Sequence, residues 1–486
     1  MSLPFKLRPA RMEDARFLFE LSNDPLVRRN SANSKPIEWE GHVKWLARML
    51  ESPDCIFYVV TSPEGEPIGQ CRFNRLADGW NCSGSLVQAW RGKGLSKLFL
   101  RAALMRSGVR EMVGFSKVSN RVAIKPLKDN GYKYVENRTI DGEEYEVYKW
   151  TSPTFIVAEM SANHRGDLER AKDIVRAAKE AGADAVKLQT YTADTMTLDL
   201  SSGPFRIQYG TPWDGMTLHE LYSKSATPWE WTGELKALAD ELGIELFSSP
   251  FDRTAVEHLE THGIARYKIA SFEAADIPLI RQIASKGKPL LISTGVLRLE
   301  EIRETLDACH AEGNYDVTLL KCTSAYPARP ETMNLATIRD MIERYGGEGV
   351  AVGLSDHTTG IEAPIAAVAL GARVIEKHFT LDRPEGDVES SFALVPDEFE
   401  QMVKSVRTTE VAIGRVSYAP SELARAGCRS LYVAADVRAG ERLTEENVRS
   451  VRPAGGCTPK TLPALLGKVA AVDLKKGMPM KEEYAQ

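Results

Sequence analysis

Apolar residues follow two patterns along residues 155–379: short continuous runs, and repeats at helical spacing. Eight short runs are almost entirely apolar, and each has the length of a buried strand. These runs lie at residues 155–160, 185–190, 246–251, 267–272, 289–294, 317–322, 350–355 and 374–379. Between most of them, segments such as LERAKDIVRAAKEAGA repeat apolar residues at helical spacing and end on glycine. This alternation predicts an α/β fold, the (β/α)8 TIM barrel, whose parallel strands are buried on both faces.

Residues 1–150 precede this pattern and predict a separate α/β domain. A strand leads into the amphipathic helix of RMEDARFLFEL, and strands at CIFYVVTS and PIGQCRFNRL follow a second helix. The segment WRGKGLSKLFLRAALMRSG then places a glycine-rich turn before a helix. The free backbone amides at the start of that helix would converge on one point, with the helix dipole behind them. They belong to Gly92, Gly94, Leu95 and Ser96, and they predict a pyrophosphate-binding loop.

The segment SNRVAIKPLKDNGY follows this loop, and the combination resembles the Gcn5-related N-acetyltransferases (GNAT) over residues 3–150. The resemblance implies acetyl-CoA contacts from Arg91, Gly92, Gly94, Leu95, Ser96 and Asn120. Ser96 stands where the family usually has the third small residue of the loop. Leu127 stands where many members have the tyrosine that protonates the departing thiolate. An active acetyltransferase and a non-catalytic docking domain therefore both stay open.

After Gly414 a connecting segment leads to a small third domain. Its halves, AADVRAGERLTEENV and AVDLKKGMPMKEEYA, repeat one pattern of small, acidic, basic and glycine positions. The predicted domains are residues 1–150, 151–417 and 418–486, with the barrel in the middle. The last domain can bury only a small core, so we expect it to pack against a barrel, its own or a partner's. Within the barrel, the long aromatic connection after residue 190 predicts a substrate lid.

Charge and cysteine content exclude several classes of protein. The chain of 486 residues carries a net charge of −5, and its 62 basic residues are scattered, which argues against general nucleic-acid binding. The seven cysteines form no CxxC pair, and no signal peptide or apolar run of about 18 residues is present. We therefore expect a cytoplasmic protein that binds neither nucleic acid nor membrane.

Polar residues at the carboxyl ends of the predicted strands should face one mouth of the barrel. Lys187 and Lys268 lie inside apolar strands, where a lysine is costly to bury without an anionic partner. With nearby hydroxyl groups they predict a pocket for phosphate and carboxylate, and the alternative is a pair of internal salt bridges to Glu159 and Glu273. Two histidines follow the seventh and eighth strands, and converging imidazoles suit a divalent metal. These histidines, 357 and 378, could equally cap a helix or fill a polar gap.

Nine segments in order resemble the sialic acid synthase family: AEMSANH, KLQTYT, TPWEW, SSPFD, YKIASFE, STG, KCTSAYPA, GLSDHT and EKHFTL. The residues of these segments are most similar to those of the pseudaminate-forming members. The resemblance runs from about residue 155 to residue 486, because the last domain resembles the antifreeze-like (SAF) domain of that family. The family condenses phosphoenolpyruvate with a 2-acetamido sugar aldehyde and releases phosphate. It uses a divalent cation, so Mn²⁺ or Mg²⁺ is implied here.

The resemblance also implies a role for particular residues. His357 and His378 are the implied metal ligands, and Glu273, Glu159 and Lys268 are the implied catalytic residues, with Glu273 moving protons. The implied substrate-binding residues are Lys187, Gln189, Ser249, Ser271, Ser324, Tyr326, Ser355, Glu389 and Arg452. Glu389 stands where the family usually has aspartate. Arg452 would reach the barrel of a neighbouring subunit, which implies a domain-swapped homodimer.

The expected function is therefore twofold. The barrel is expected to join phosphoenolpyruvate to 2,4-diacetamido-2,4,6-trideoxy-L-altrose, giving pseudaminate and phosphate. The N-terminal domain is expected to use acetyl-CoA to acetylate an amino-sugar precursor, a UDP-linked 4-amino sugar. The alternative is a synthase of legionaminic or N-acetylneuraminic acid that carries a GNAT-like docking domain without activity.

Overall fold

The computed structural model describes residues 3–76, 79–140, 142–208, 214–384, 390–414, 416 and 418–486. The chain divides into two compact units, residues 1–413 and 414–486. The first unit contains a seven-stranded sheet and a closed eight-stranded barrel. The finer predicted boundaries, after residues 150 and 417, stay predictions. In the described part of the chain, no helix has both the length and the apolar character needed to cross a membrane.

The seven-stranded sheet occupies the N-terminal region. Its strands are β1 (Lys6–Pro9), β2 (Cys55–Thr61), β3 (Pro67–Leu76), β4 (Gly79–Leu86), β5 (Glu111–Lys117), β6 (Lys133–Ile140) and β7 (Glu143–Thr151), in the order β1-β2-β3-β4-β5-β7-β6. Its helices are α1 (Ala15–Asn23), α2 (Pro25–Asn30), α3 (Trp39–Glu51), α4 (Leu95–Ser107) and α5 (Arg121–Asp129). The parallel pair β4 and β5 is in register only at Trp80 with Met112 and at Asn81 with Val113. The two strands therefore separate beyond Asn81, in front of the helix that follows the glycine-rich turn.

The barrel has the eight predicted strands. They are β8 (Phe155–Glu159), β9 (Ala185–Thr190), β10 (Glu245–Pro250), β11 (Tyr267–Ile269), β12 (Leu290–Ser293), β13 (Val317–Cys322), β14 (Ala351–Asp356) and β15 (Val374–His378). Every neighbouring pair is parallel, and β15 pairs with β8 to close the ring. The predicted (β/α)8 barrel is confirmed. β11 is shorter than its apolar run because the chain enters a turn at Ser271.

In the described part of the barrel region, ten α-helices accompany these strands. They are α6 (Leu168–Glu180), α7 (Ala193–Met196), α8 (Leu218–Ser225), α9 (Thr232–Leu242), α10 (Arg253–Thr261), α11 (Ile277–Ala284), α12 (Leu299–Ala311), α13 (Thr337–Tyr345), α14 (Glu362–Ala369) and α15 (Pro396–Ala412). The short helices α7 and α8 lie in the long connection after β9, where the sequence predicts a lid. Side chains such as Phe247, Tyr267 and Leu319 are fully buried in the core. The rigid core thus fixes where each strand ends and which side chains reach the mouth.

The N-terminal sheet packs against the amino-terminal side of the barrel. Arg101 pairs with Asp316 at 2.6 Å, and its Nε donates to the carbonyl of Gly349. Arg110 pairs with Glu410 at 3.1 Å and donates to the carbonyl of Ala372. Residues 316, 349 and 372 lie just before β13, β14 and β15, so the contact is at the end of the barrel opposite the strands' carboxyl ends.

The connection between the sheet and the barrel is short. Only residues 152–154 separate β7 from β8, although the sequence of this segment is typical of a linker. Thr154 is fully buried, and its backbone N–H donates to the carboxylate of Glu410. The sheet and the barrel are therefore held together by the connection itself as well as by the arginine pairs.

The C-terminal unit contains α16 (Glu422–Ala426), β16 (Ser430–Val433), β17 (Val448–Val451) and α17 (Leu462–Leu465). Its core is Leu431, Val433, Val437, Leu443, Val448, Leu465, Ala470, Leu474 and Met480. The repeated sequence pattern has a structural counterpart. Asp436 accepts a hydrogen bond from the backbone N–H of Lys476, and Asp473 accepts one from that of Ala439, each at 2.8 Å. The two halves therefore stabilise each other's turns reciprocally.

Candidate active site

Two lysines and two glutamates form a buried charged cluster at the carboxyl ends of β8, β9, β11 and β15. Glu159, Lys187, Lys268 and Glu376 are each at most 4% exposed. Lys187 Nζ lies 2.7 Å from Glu159 Oε2 and 3.7 Å from Glu376 Oε1. Lys268 Nζ donates to Glu376 Oε1 at 3.0 Å. The cluster is electrically balanced in the free protein, and Glu376 lies between the two lysines.

The titration of this cluster follows from burial and from its internal pairs. Burial opposes ionisation of Glu376, but the ammonium groups of Lys187 and Lys268 outweigh burial and lower the pKa of Glu376 to about 2. Burial raises the pKa of Glu159 despite its contact with Lys187. Burial also opposes the charged form of Lys187, yet the two carboxylates raise its pKa. The carboxylate of Glu376 thus stays ionised while Lys187 and Lys268 remain beside it.

Amide and hydroxyl groups surround the cluster. Gln189 Nε2 donates to Glu159 Oε1 at 2.8 Å, Lys187 Nζ donates to Ser249 Oγ at 3.3 Å, and Ser355 Oγ donates to Glu376 Oε1 at 3.2 Å. The strand register explains this convergence, because Glu159 is opposite Lys187, Gln189 is opposite Ser249, and Ser355 is opposite Glu376. The structure therefore brings three of the predicted substrate-binding residues onto the charged cluster.

A glycine two residues after β12 allows two more predicted residues to approach. The backbone N–H of Gly295 donates to Ser271 Oγ at 3.2 Å. A Cβ at Gly295 would lie 2.3 Å from Ser324 Oγ and 2.8 Å from Ser271 Oγ, so any larger residue would displace these hydroxyls. The two serines and the glycine amide thus form one small polar concavity just past the carboxyl ends of β11, β12 and β13.

The two predicted metal ligands are adjacent. The ring centroids of His357 and His378 are 5.3 Å apart, and the Phe392 ring packs on both. His357 Nδ1 lies 2.9 Å from the carbonyl oxygen of Thr323, which leaves Nε2 for a ligand. His378 Nδ1 is buried and has no hydrogen-bond partner among the described residues. Burial lowers the pKa of His378, so its imidazole is neutral with an available lone pair.

This pair fits a divalent cation. Neutral imidazole nitrogen is a common ligand of divalent transition metals, and a buried unpartnered nitrogen is otherwise costly. No group of three or more histidine, cysteine, aspartate or glutamate side chains suited to a metal occurs in the described part of the chain. Glu389, which the sequence placed near this pair, lies outside the described residues. His357 and His378 would therefore hold the cation together with substrate or water oxygens.

Glu273 and Tyr326 lie at the edge of the same mouth. Burial raises the pKa of Glu273 to about 7, despite the nearby charge of Lys268, and its Oε2 has no hydrogen-bond partner within the described chain. The Tyr326 ring centroid is 4.4 Å from that of His357, and Tyr326 is 40% exposed. A carboxyl group that is half ionised near neutral pH can both accept and donate a proton.

One predicted ion pair is wrong, and one important residue received no role from the sequence. The salt-bridge alternative paired Lys268 with Glu273, but Lys268 pairs with Glu376 instead, because β15 lies across the ring from β11. The other alternative pair, Lys187 with Glu159, is present. The sequence did carry a signal for Glu376: in VIEKHF, alternate residues face the same side of the strand, so Glu376 shares a face with His378.

Two further residues also received no role from the sequence. The Cys322 thiol lies 3.9 Å from both His357 Nδ1 and Ser324 Oγ. Buried Lys377 pairs with Asp356 at 2.6 Å, which anchors the chain next to both histidines. Neither contact has a sequence signal, since each depends on side chains of neighbouring strands that are far apart in the chain.

The predicted acetyl-CoA loop lies at the start of α4. Gly92 and Gly94 have φ angles of +76° and +74°, and nothing lies within 4 Å of the position of a Cβ at either residue. Leu95 is buried in the core, so only its amide remains available, and Ser96 follows it in the first turn of the helix. Asn120 directly precedes α5. The space beside Gly92 and Gly94 is therefore open, and acetyl-CoA binding by this loop stays a prediction.

Two residues of this domain behave differently from the family pattern. Arg91 pairs with Asp24 at 3.0 Å and donates to the carbonyl of Leu86, so its guanidinium is held by the protein itself. Leu127 is only 9% exposed, and its side chain packs close to Gly114, where an added Cβ would lie 3.3 Å from Leu127 Cδ1. The position at which many family members have the tyrosine that protonates the departing thiolate is therefore part of the core.

Comparison with known proteins gives the family. The model of the NeuB family matches residues 174–418. Pseudaminic acid synthase of Campylobacter jejuni strain 81-176 is 47% identical over 331 residues, which cover 68% of this chain and 95% of that protein. The chain belongs to the NeuB family. Two further models match this NeuB-family protein: an acetyltransferase (GNAT) domain at residues 5–133 and an SAF domain at residues 429–482.

Other relatives of this NeuB-family chain are more distant. The N,N′-diacetyllegionaminic acid synthase of Legionella pneumophila is 34% identical and covers 72% of this chain and 99% of that protein. The crystal structure of N-acetylneuraminic acid synthetase from Leptospira borgpetersenii, in complex with citrate, superposes with a TM-score of 0.50 at 26% identity. It covers 60% of this chain and 94% of that one. Family and domains together indicate a phosphoenolpyruvate-dependent synthase that uses a metal, joined to an acetyltransferase domain that uses acetyl-CoA.

Proposed function

We propose that the barrel condenses phosphoenolpyruvate with 2,4-diacetamido-2,4,6-trideoxy-L-altrose to give pseudaminate and phosphate. The observation that carries this proposal is the buried cluster of Lys187 and Lys268, which lies beside the adjacent side chains of His357 and His378. Burying two lysines at one strand edge is costly, and an anionic substrate is the ligand that such a site favours. The higher identity to the Campylobacter pseudaminic acid synthase than to the Legionella enzyme supports pseudaminate over legionaminate.

Each lysine has polar neighbours for one anionic group of phosphoenolpyruvate. Lys187 lies beside Gln189 and Ser249, whereas Lys268 lies near the concavity of Ser271 and Ser324. When phosphoenolpyruvate binds, its phosphate and carboxylate would replace Glu159 and Glu376 as partners of the lysines. Because hydrogen bonds between charged groups are directional, this exchange would fix the enolpyruvate carbon atoms in one orientation.

The C–C bond forms when C3 of phosphoenolpyruvate attacks C1 of the open-chain sugar. The C1 carbonyl becomes the new hydroxyl group, and C2 becomes an oxocarbenium centre. The cation held by His357 and His378 supplies Lewis acidity toward the sugar aldehyde when it is bound. Tyr326, whose ring packs on His357, would contact the sugar and help to orient the carbonyl face.

Water then adds to C2, and the C2–O bond to phosphate breaks. Glu273 is suited to take the proton from this water, because its pKa of about 7 leaves a substantial ionised fraction at neutral pH. Its protonated form can return a proton to the departing phosphate. Glu159 would hold the water or a sugar hydroxyl. Of the two protons of this water, one ends on the oxygen of the former C1 carbonyl, and the other leaves with phosphate as the C2 hydroxyl becomes the keto group. The products are the 2-keto acid and inorganic phosphate.

The proposal extends to a domain-swapped homodimer in which Arg452 of the partner subunit contacts the sugar. Arg452 follows β17 in a unit with only a small core of its own, which supports packing against a barrel. Glu389 is assigned to the sugar or to water near the metal. The cation is assigned as Mn²⁺ or Mg²⁺. A cytoplasmic location agrees with the seven cysteines, all of which are free thiols.

The N-terminal domain is proposed to acetylate the 4-amino group of a UDP-linked sugar. The open amides at the start of α4 and the separation of β4 from β5 support acetyl-CoA binding. A docking role without catalysis is the second candidate, because Leu127 is part of the core and the sheet is tied to the barrel by several arginines. The test is to incubate the protein with acetyl-CoA and the UDP-linked 4-amino sugar. Release of the free thiol would support catalysis, whereas a protein that does not bind acetyl-CoA would support the docking role.

The sheet contacts the amino ends of the barrel strands, whereas the charged cluster lies at their carboxyl ends. Within one chain, an acetylated intermediate would therefore travel through solvent between the two sites.

The barrel activity is tested by phosphate release from phosphoenolpyruvate with Mn²⁺ and one of two sugars. We expect turnover with the diacetamido-trideoxy-altrose, and preference for N-acetylmannosamine would contradict the proposal.

A further inference from the structure

A cavity of about 390 Å³ lies between the N-terminal sheet and the amino-terminal end of the barrel. Its walls include three arginines and a larger apolar surface, represented by Arg106, Arg339, Arg373, Tyr58, Met105 and Leu370. A second cavity of about 200 Å³ shares Met105, Ala351 and Arg373 with it. These cavities are at the opposite end of the barrel from the charged cluster, so the proposed synthase chemistry does not explain them.

Arg373 is the most unusual residue of this cavity. It is 7% exposed, and its Nη2 donates to the carbonyls of Leu104 and Val109 at 3.4 and 2.8 Å. Its Nη1 is buried and has no hydrogen-bond partner among the described residues. The structure gives Arg373 no ion pair with any described carboxylate. One edge of the guanidinium is therefore held by the protein, and the other is left without a partner.

Neighbouring charges compensate Arg373 only in part, because the Glu410 carboxylate, which raises its pKa, is itself paired with Arg110 and Arg407. Arg101 and Arg110 lie near it, but their own carboxylate partners are Asp316 and Glu410. Burial, together with these two arginines, lowers the pKa of Arg373 to about 9, so the group still carries its charge at neutral pH. The Trp150 ring, 5.9 Å from Arg373 Cζ, offers only a weak cation–π contact.

Two of the other charged residues of the lining are also positive. Arg106 lies over the Tyr58 ring and donates to the carbonyl of Leu7, and Arg339 is an exposed residue of α13 at the cavity. Among the lining residues that the structure describes, Glu343, exposed on the same helix, is the one acidic residue. A buried cation without an anionic partner costs several kcal/mol, which a bound anion would offset.

We propose that this cavity binds a small organic oxyanion whose phosphate or carboxylate group contacts Arg373 and whose apolar part lies against Tyr58, Met105 and Leu370. The volume is within the range of small-molecule sites, roughly 300–1,000 Å³. Because its walls come from both the sheet and the barrel, the bound ligand holds the two together. The proposal is independent of the reaction assigned to the barrel.

Calorimetric titration of the full-length protein with inorganic phosphate, phenyl phosphate and benzoate tests this site. We expect phenyl phosphate or benzoate to bind more tightly than inorganic phosphate, because only the aryl compounds contact the apolar wall. The comparison of phenyl phosphate with benzoate distinguishes a phosphate site from a carboxylate site. No binding by any probe, or equal affinity for all three, would overturn the proposal.

Three variants locate the binding. Arg373→Gln should lower the affinity for the tighter-binding aryl compound by about tenfold or more, since it removes a charged hydrogen-bond donor. Arg339→Gln should weaken it severalfold, whereas Arg344→Gln, on the outer side of the same helix, should bind as the wild type does. Phosphate release from phosphoenolpyruvate should be unchanged in all three. If Arg373→Gln does not fold, the comparison of Arg339→Gln with Arg344→Gln decides, and equal affinity in these two variants would refute the site.

Discussion

Replacing Glu273 by glutamine should stabilise the protein at alkaline pH while it removes catalysis. Glu273 is largely buried at the barrel mouth, and its Oε2 has no hydrogen-bond partner in the described structure. Burial raises its pKa from the ordinary 4.5 to about 7. The folded protein therefore binds this proton more tightly than the unfolded chain, and ionisation of Glu273 at high pH opposes folding.

The size of the effect follows from the two pKa values. The stability associated with the protonated carboxyl is fully present below pH 4.5 and is lost as the pH rises through about 7. At about 1.36 kcal/mol for each pH unit between these values, the loss is about 3 kcal/mol. Glutamine carries no charge, so Glu273→Gln avoids this loss above pH 7. For a barrel of this size, the gain corresponds to an increase of about 5–10 °C in melting temperature.

Differential scanning calorimetry at pH 5 and pH 8 measures this effect. The variant should melt well above the wild type at pH 8 and close to it at pH 5, and phosphate release should be abolished at both. Glu331→Gln, which replaces an exposed glutamate of the same barrel, is the matched control and should leave the melting temperature unchanged. A Glu273→Gln variant that melts no higher than the wild type at pH 8 would refute the raised pKa and its proposed role in proton transfer.

Three further predictions concern the other groups. Lys268→Met should raise the KM for phosphoenolpyruvate by about 10–100-fold, because a charged hydrogen bond is lost. Lys404→Met, on the exposed face of α15, should leave this KM unchanged, and equal KM values for the two variants would contradict the anion site. His378→Ala should weaken Mn²⁺ binding in calorimetric titration by about tenfold or more, whereas His262→Ala should not, and unchanged Mn²⁺ affinity would refute the ligand assignment. Gly94→Val should abolish acetyl-CoA binding, since valine disfavours a φ of +74°, yet leave phosphate release intact; retained binding would mean that this turn is not the acetyl-CoA loop.

The barrel was predictable because each of its strands is buried on both faces and therefore has a continuous apolar sequence. The ends of β9 and β13 agree with their predicted runs, Ala185–Thr190 and Val317–Cys322. The convergence of His357 and His378 was predictable for a related reason, since parallel strands in sequence order end at the same edge. Sequence periodicity is thus sufficient to place residues at the mouth.

The pairing within the mouth was not predictable. Lys268 and Glu376 are 108 residues apart, and their contact depends on the closure of the barrel and on the rotamers of both side chains. Glu273 is closer to Lys268 in sequence, but the turn that begins at Ser271 takes its carboxylate elsewhere. The same limit applies to Arg373, whose burial results from the packing of a second domain on the barrel. Sequence patterns carry no signal for that surface.

The most direct test of the central claim uses phosphoenolpyruvate labelled with ¹⁸O in the bridging oxygen between C2 and phosphorus. The protein is incubated with this substrate, Mn²⁺ and the diacetamido-trideoxy-altrose, and both products are identified by mass spectrometry. We predict equal amounts of pseudaminate and phosphate, with the label in phosphate because the C2–O bond breaks. Unlabelled phosphate, or a nonulosonate formed faster from N-acetylmannosamine than from the altrose derivative, would contradict the proposed function.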